Sequence, residues 1–381
     1  MYTIENIHEK LLQLELLSRN ALLDGGYEAT TVNLRNTSLI VVSRKSEHYF
    51  IKQAEFASED IYCTLQNEIF FYERVGECLP ELADCIPEPV HGDAHESLLI
   101  LKYHAASTTF WNRHKREAAN GLPFTTLILV GNFLARLHKT LSAIHLRSLS
   151  EFEFLGSTLP GAFRLLKPHP NILQQATPGA LHFIERLQAQ NGIDDHWQNV
   201  ANLWETNAIV HGNVKLDNLI LDEHGGAAEE EAIKVADWNA VQYGDTAWDV
   251  AGVLSDIIYQ WCVTMANDNP SADIAKHAKS ALAQIGQGAN AFLDAYKAMS
   301  HIEGRALERQ FFKAIAFTGI KIIQTSFELT SDANSMPSLA TLLYHIGIDI
   351  IENPQQARDQ LRGITQHVSR TAEIDEALNG A

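Results

Sequence analysis

Positive charge is scarce in this 381-residue chain, where 29 Lys and Arg stand against 47 Asp and Glu for a formal net charge of −18. A deficit of that size repels phosphate backbones and anionic headgroups, so the sequence argues against general nucleic-acid binding and against adsorption to a membrane; a cationic partner is favoured instead. Cysteine is sparse too. Cys63, Cys78, Cys85 and Cys262 include no C-x-x-C pair, and the opening MYTIENIHEK lacks the basic-then-apolar pattern of a signal peptide. A cytoplasmic chain with reduced thiols is expected. Long apolar runs are missing: SLLIL at 97–101 is far short of the roughly 20 residues that cross a bilayer. Zinc spacing is missing as well, because His8-Glu9 continues to Leu11 and Leu12 rather than completing H-E-x-x-H. No internal repeat is evident, and the one biased patch, GGAAEEEA at 225–232, reads as a solvated turn. What remains is a globular composition, 46% hydrophobic and 20% charged, long enough to divide into two parts.

The first hundred residues alternate. TTVNL at 30–34, SLIVV at 38–42 and HYFIKQ at 48–53 are β-rich runs separated by polar turns, which predicts an antiparallel meander. From Ile61 the apolar positions Leu65, Ile69 and Tyr72 recur at helical steps, and Leu98–Leu101 reads as a buried strand after the prolines 80, 87 and 89. The character changes after Tyr103: residues 104–123 are polar, and helical patterns follow at 126–141, 179–190, 248–263 and 309–329. The expected organisation is α+β, with a small N-terminal lobe over residues 1–103 and a larger, mainly helical lobe over 104–381.

Residues 208–251 hold the most chemistry. Two short apolar runs, Leu219–Leu221 and Ala232–Ala236, flank a loop with Gly225 and Gly226, the pattern of an antiparallel hairpin. Asn218 precedes the first strand and Asp237 follows the second, so an amide oxygen and a carboxylate meet at one end. Hard oxygen ligands of this kind suit Mg²⁺, which takes one or two protein carboxylates and fills its shell with water and phosphate oxygens. A second pair is suggested by spacing alone. Seven residues separate Ile61 from Glu68, which places Glu68 on the inward stripe of its helix, and Lys52 on the preceding strand is the natural partner for that carboxylate.

His211-Gly212-Asn213 with Asn218, then Asp237-Trp238, then Gly244-Asp245 with Asp249, resembles the aminoglycoside phosphotransferase and choline kinase family, whose fold is protein-kinase-like and bilobal. FLARLHKTL at 133–141 looks like the helix before that family's catalytic loop, and Ile51-Lys52 like its nucleotide-binding lysine. The resemblance implies an enzyme that binds ATP and Mg²⁺ and transfers the γ-phosphate to a hydroxyl-bearing acceptor, small or peptidic. It implies Lys52 and Glu68 as the ion pair that orients the lysine toward phosphates, Asn218 and Asp237 as metal ligands, and Leu101–His104 as the hinge, with Lys102 and His104 beside adenine. The phosphate-covering turn falls near Arg35–Ser38 and has no glycine; Asn36, Thr37 and Ser38 supply small side-chain donors in its place. Residues 91–93 spell His-Gly-Asp, the family's usual triplet, but Leu98 rather than Asn stands seven residues on, and the segment reads as a turn before a strand. Asn213 is the main departure, because the family usually has a proton-accepting aspartate there. Two outcomes stay open. In one, Asn213 orients the hydroxyl, Lys215 neutralises the transferring phosphoryl group and Asp217 serves as a substitute base or stands solvated; in the other, the chain is a pseudokinase that binds nucleotide without chemistry. Asp245 and Asp249, at the start of a helix, read as carboxylates that cap amides and support the loop.

Overall fold

The computed structural model describes residues 2–33, 37–43, 48–54, 59–103, 108–112, 123–142, 150–222, 232–267 and 274–361. They form two compact units: Met1–Lys115 with Arg147–Gly156 and Leu216–Gln242, and Arg116–Leu146 with Ser157–Lys215 and Tyr243–Ala381.

The first unit is built on an antiparallel sheet of β1 (Tyr27–Asn33), β2 (Thr37–Ser43), β3 (His48–Gln53), β4 (Pro89–Asp93) and β5 (Leu98–Tyr103), in the order β1-β2-β3-β5-β4. The three-strand meander and the Leu98 strand lie where the β-rich runs predict them. Strand periodicity then decides what each side chain faces. Tyr49, Ile51, Leu98 and Ile100 bury one face of the sheet against Ile7 and Leu11 of α1 (Ile7–Gln13) and Ala21 of α2 (Arg19–Leu23). Lys52, with the opposite parity to Ile51, is also buried. Helix α3 (Glu59–Cys78) follows β3 and buries Leu65, Ile69 and Tyr72 of the stripe read from the sequence, together with Val75 and Glu68.

Residues 91–93 correct one expectation. They are not a turn but part of edge strand β4, with His91 opposite Ile100, Gly92 opposite Leu99 and Asp93 opposite Leu98. The turn comes later, at 94–97, where Asp93 Oδ1 accepts the amides of His95 and Glu96 at 2.8 and 2.9 Å. The strand passes close to α3 at Gly92, where a Cβ would meet Ile69 Cγ2 at 3.0 Å. The same unit holds a second sheet, in which β6 (Thr108–Thr109) pairs with β8 (Leu219–Asp222) and β8 with β9 (Ala232–Val235) as the expected hairpin.

Helices make up most of the second unit: α4 (Phe124–Thr140), α5 (Pro170–Gln175), α6 (Pro178–Ala189), α7 (Ile193–Ala201), α8 (Thr246–Asn267), α9 (Ile274–Met299), α10 (Gly304–Glu328) and α11 (Ser338–Glu352). A short pair of strands, β7 (Ala208–Val210) and β10 (Gln242–Gly244), leads into and out of the 211–242 region. Helix starts follow the local chemistry. Thr177 caps α6 by accepting the Ala180 amide at 3.2 Å, with Pro178 at the first helical position where its missing N–H costs nothing. Among the described residues no helix is long and apolar enough to cross a membrane, and Cys78 and Cys262 are free thiols.

Candidate active site

Within the first unit a buried ion cluster joins β3, α3 and the end of β9. Lys52 Nζ lies 2.9 and 2.8 Å from the two Glu68 carboxylate oxygens and 2.6 Å from Asp237 Oδ1. Glu68 is fully buried and Lys52 nearly so. Burial alone would lower the lysine pKa, but Glu68 and Asp237 outweigh it and hold the ammonium above the usual lysine range. The helix also pins the turn that carries Asp237. Glu68 Oε1 accepts the Trp238 amide at 3.1 Å, the Trp238 ring stacks on Phe71 at 4.3 Å between centroids, and its indole N–H donates to the Val235 carbonyl. Asp237 itself sits in the left-handed region at φ +69°, a conformation costing a non-glycine residue roughly 1–3 kcal/mol and kept where the surroundings over-determine it. Its side chain is 28% exposed, unlike its two partners.

Asn218 lies beside it. Leu219 pairs with Val235 and the Ala236 amide donates to the Asn218 carbonyl at 2.9 Å, so Asn218 and Asp237 stand at the same end of the hairpin. One amide oxygen and one partly exposed carboxylate form a hard donor set, and with both carboxylates ionised the Lys52, Glu68 and Asp237 cluster carries an excess negative charge. Both features fit a small divalent cation that takes its other ligands from phosphate and water. Among the described residues no group of three or more His, Cys, Asp or Glu is placed to hold a metal ion.

The second unit anchors the 211–215 segment from below. Asp249, on the first turn of α8 and fully buried, accepts the His211 and Gly212 amides at 2.9 Å each and lies 3.4 Å from His138 Nε2. Burial pushes its carboxyl up, yet the His138 hydrogen bond and the charges of His138, His211 and Lys321 prevail and leave it below the usual range. Gly212 turns at φ +80°, which a side chain would resist, and its carbonyl accepts the Trp248 indole N–H at 2.8 Å. The His211 ring accepts the Asn213 amide through Nδ1 at 3.2 Å. Beyond it, burial alternates along the chain. Val214 and Leu216 point inward, while Asn213 and Lys215 are partly exposed and Asp217 is exposed. Asn213 and Lys215 belong to the second unit, and Asp217 and Asn218 to the first.

Other expected site residues are placed less closely. Ser38, the second residue of β2, stands opposite Lys52 in the sheet, and Thr37 stands opposite Gln53. Lys102 is half-buried in β5; its amide donates to the Glu88 carbonyl at 2.8 Å and its ammonium lies 3.6 Å from the Glu88 carboxylate. Asn36 and His104 lie outside the described residues.

Three supporting residues were not foreseen. His138 is buried between Asp249 and the Tyr296 hydroxyl, 2.8 Å from its Nδ1. Lys313 meets Asp245 at 2.5 Å and Glu205 at 3.0 Å, so Asp245 is held by a lysine 68 residues away. Lys321 lies 4.3 Å above the Trp248 ring. The signal for His138 was available, since it continues the buried Leu134, Ala135 and Leu137 stripe of α4. For the lysines no local signal exists.

Lys321 yields a pH prediction. Burial lowers its pKa from 10.5 to about 8, against the pull of Asp249 and Asp256 and with the help of Lys215. Between those values the unfolded chain binds the extra proton, so stability rises with pH across that window and the full penalty applies below about 8. Lys321→Met is therefore expected to stabilise the fold at pH 7 by about 1–3 kcal/mol, a gain that fades as the pH approaches 10. Urea unfolding of both proteins at pH 7 and pH 10 checks it; a difference independent of pH would contradict it.

The phosphotransferase enzyme family (APH) matches residues 36–287, more than half of the chain. The chain belongs to this family. No curated protein matches it at the sequence level. Among solved structures, the choline kinase LicA from Streptococcus pneumoniae is similar over 92% of this chain and 98% of its own, with a TM-score of 0.50 at 12% identity. The amicoumacin kinase hAmiN is similar over 91% of this chain and 96% of its own, with a TM-score of 0.52, also at 12% identity. These likenesses establish the protein-kinase-like, bilobal α+β fold.

Proposed function

We propose that this phosphotransferase uses Mg-ATP and transfers the γ-phosphate to a hydroxyl of a small, preferentially cationic acceptor. The single observation that carries the reading is the buried Lys52, Glu68 and Asp237 cluster with Asn218 at its edge. Glu68 fixes Lys52 from below, and Lys52 presents the one buried positive charge of the cluster to phosphate oxygens. Asn218 and Asp237 would hold the metal, which neutralises charge on the phosphates when bound. Nucleotide handling is assigned to the N-terminal lobe, residues 1–103, joined by Asn218 and Asp237, and catalysis and acceptor binding to residues 104–381. Asn213 orients the acceptor hydroxyl through its amide oxygen, Lys215 offsets charge on the transferring group, and exposed Asp217 takes the proton. The similar choline kinase has been solved with AMP, and the amicoumacin kinase with AMP-PNP and Ca²⁺; for this chain the support is its own residues. The net charge of −18 is what favours a cationic acceptor.

A second reading, a nucleotide-binding pseudokinase, is favoured by Asn213, since an amide takes up no proton at neutral pH. Both readings require nucleotide. Because a ligand that binds only the folded form stabilises it by mass action, millimolar Mg-ATP is expected to raise the melting temperature. The enzyme reading adds release of labelled phosphate or its transfer to amine-bearing alcohols. A melting temperature unmoved by Mg-ATP, with no heat of binding, would defeat both.

A further inference from the structure

A cavity of about 450 Å³ opens among α8, α9, α10, α11 and the residues after α11. Its volume lies in the range of roughly 300–1,000 Å³ typical of small-molecule sites. Leu254, Ile257, Ala289, Ile315 and Ile350 form an apolar floor, and Asp349, Asn353 and Gln356 stand at a polar, exposed rim.

Two features go beyond an apolar hollow. Trp261 lines the cavity, and its buried indole N–H has no hydrogen-bond partner among the described residues, a donor that a bound acceptor atom would satisfy. Among the described residues of the lining Asp349 is the one charged side chain, a carboxylate with no Lys, Arg or His beside it. An anionic ligand would meet repulsion there, and a cationic one attraction.

The cavity is also separate from the phosphotransferase site. On α8, Trp248, Asp249 and Gly252 touch the 211–214 segment. At 100° per residue, Leu254, Ile257, Ile258 and Trp261 fall about half a turn round the same helix, on its opposite face. No lining residue belongs to the Lys52 cluster or to the 211–218 segment.

We propose that this cavity is a second binding site, for a small amphiphilic amine: an apolar body on the floor, a hydrogen-bond acceptor at Trp261 Nε1 and the ammonium at Asp349. The inference goes beyond the phosphotransferase reading and stands without it.

Dansylcadaverine, an apolar fluorophore bearing a primary amine, is a direct probe. Titrated into the full chain, it should bind saturably at one equivalent, with enhanced, blue-shifted emission, and about tenfold more tightly than the anionic 5-dimethylaminonaphthalene-1-sulfonate. Asp349→Asn should remove the preference for the amine, Trp261→Phe should weaken binding with the ring kept, and Ala289→Phe should abolish it by filling the floor. Should Ala289→Phe fail to fold, the exposed Asp349→Asn variant decides alone, through the amine-to-sulfonate ratio. No saturable binding to the native chain overturns the proposal, as does an Asp349→Asn variant that keeps the full preference.

Discussion

Asn213→Asp is expected to fold as the native chain does, bind ATP with similar affinity and turn it over faster. The substitution exchanges an amide for a carboxylate of nearly the same shape. Asn213 is partly exposed, and one contact that seats it, its amide to His211 Nδ1, is made by the backbone and survives the change. If Asp217 is only a stand-in for the family's proton acceptor, restoring a carboxylate at position 213 should speed phosphoryl transfer by up to about 10²–10⁴. Steady-state assays with ATP and a panel of amine-bearing alcohols measure this. A native enzyme that is active and slowed by the substitution would show instead that the asparagine positions the nucleophile in a site tuned around it. No turnover from either protein would select the pseudokinase reading.

Gly252→Ala should be nearly as damaging in the other direction. A Cβ on Gly252 would lie 2.0 Å from the Val214 carbonyl oxygen, whereas real Cβ contacts essentially never fall below 3.0 Å. The helix has little freedom to yield, because Trp248 and Asp249, one turn earlier, are bonded to Gly212 and His211. The 211–214 segment must therefore retreat by about 1 Å. Misplacement on that scale costs about 10²-fold in rate, and the overpacking costs about 1–3 kcal/mol of stability. Gly156→Ala serves as the control, since nothing lies within 4 Å of its added methyl group. Equal turnover in both variants would mean that the segment bends freely, and the anchoring role given to α8 would be wrong.

How far these features were legible depended on the distance over which their causes act. Lys52 and Glu68 are 16 residues apart, and the helical spacing of Glu68, with Lys52 on the preceding strand, was enough to pair them. The Asn218 and Asp237 hairpin was legible for the same reason, from two apolar runs and a turn. What periodicity could not show was that Lys52 bonds Asp237 too, 185 residues away. Asp249 was placed correctly as an amide-capping carboxylate from its position at a helix start, while its contact with His138 rests on a packing 111 residues long. His-Gly-Asp at 91–93 misled because those residue types favour turns; the pairing of Gly92 with Leu99 and the nearness of Ile69 outweigh that preference. Lys313 and Lys321 look like surface lysines on a long helix, and only the carboxylates and the indole brought beside them by other helices make them buried.

The central claim is that Asp237 holds the metal of a nucleotide whose phosphates Lys52 contacts, and calorimetric titration of ATP with and without Mg²⁺ tests it most directly. Asp237→Asn is the variant of choice, because asparagine tolerates the left-handed backbone at φ +69° while the charge is lost. Mg²⁺ should strengthen ATP binding to the native chain and do so far less in Asp237→Asn, whereas Lys52→Ala should weaken binding in both conditions. Equal metal dependence in the native chain and the Asp237 variant would contradict the account.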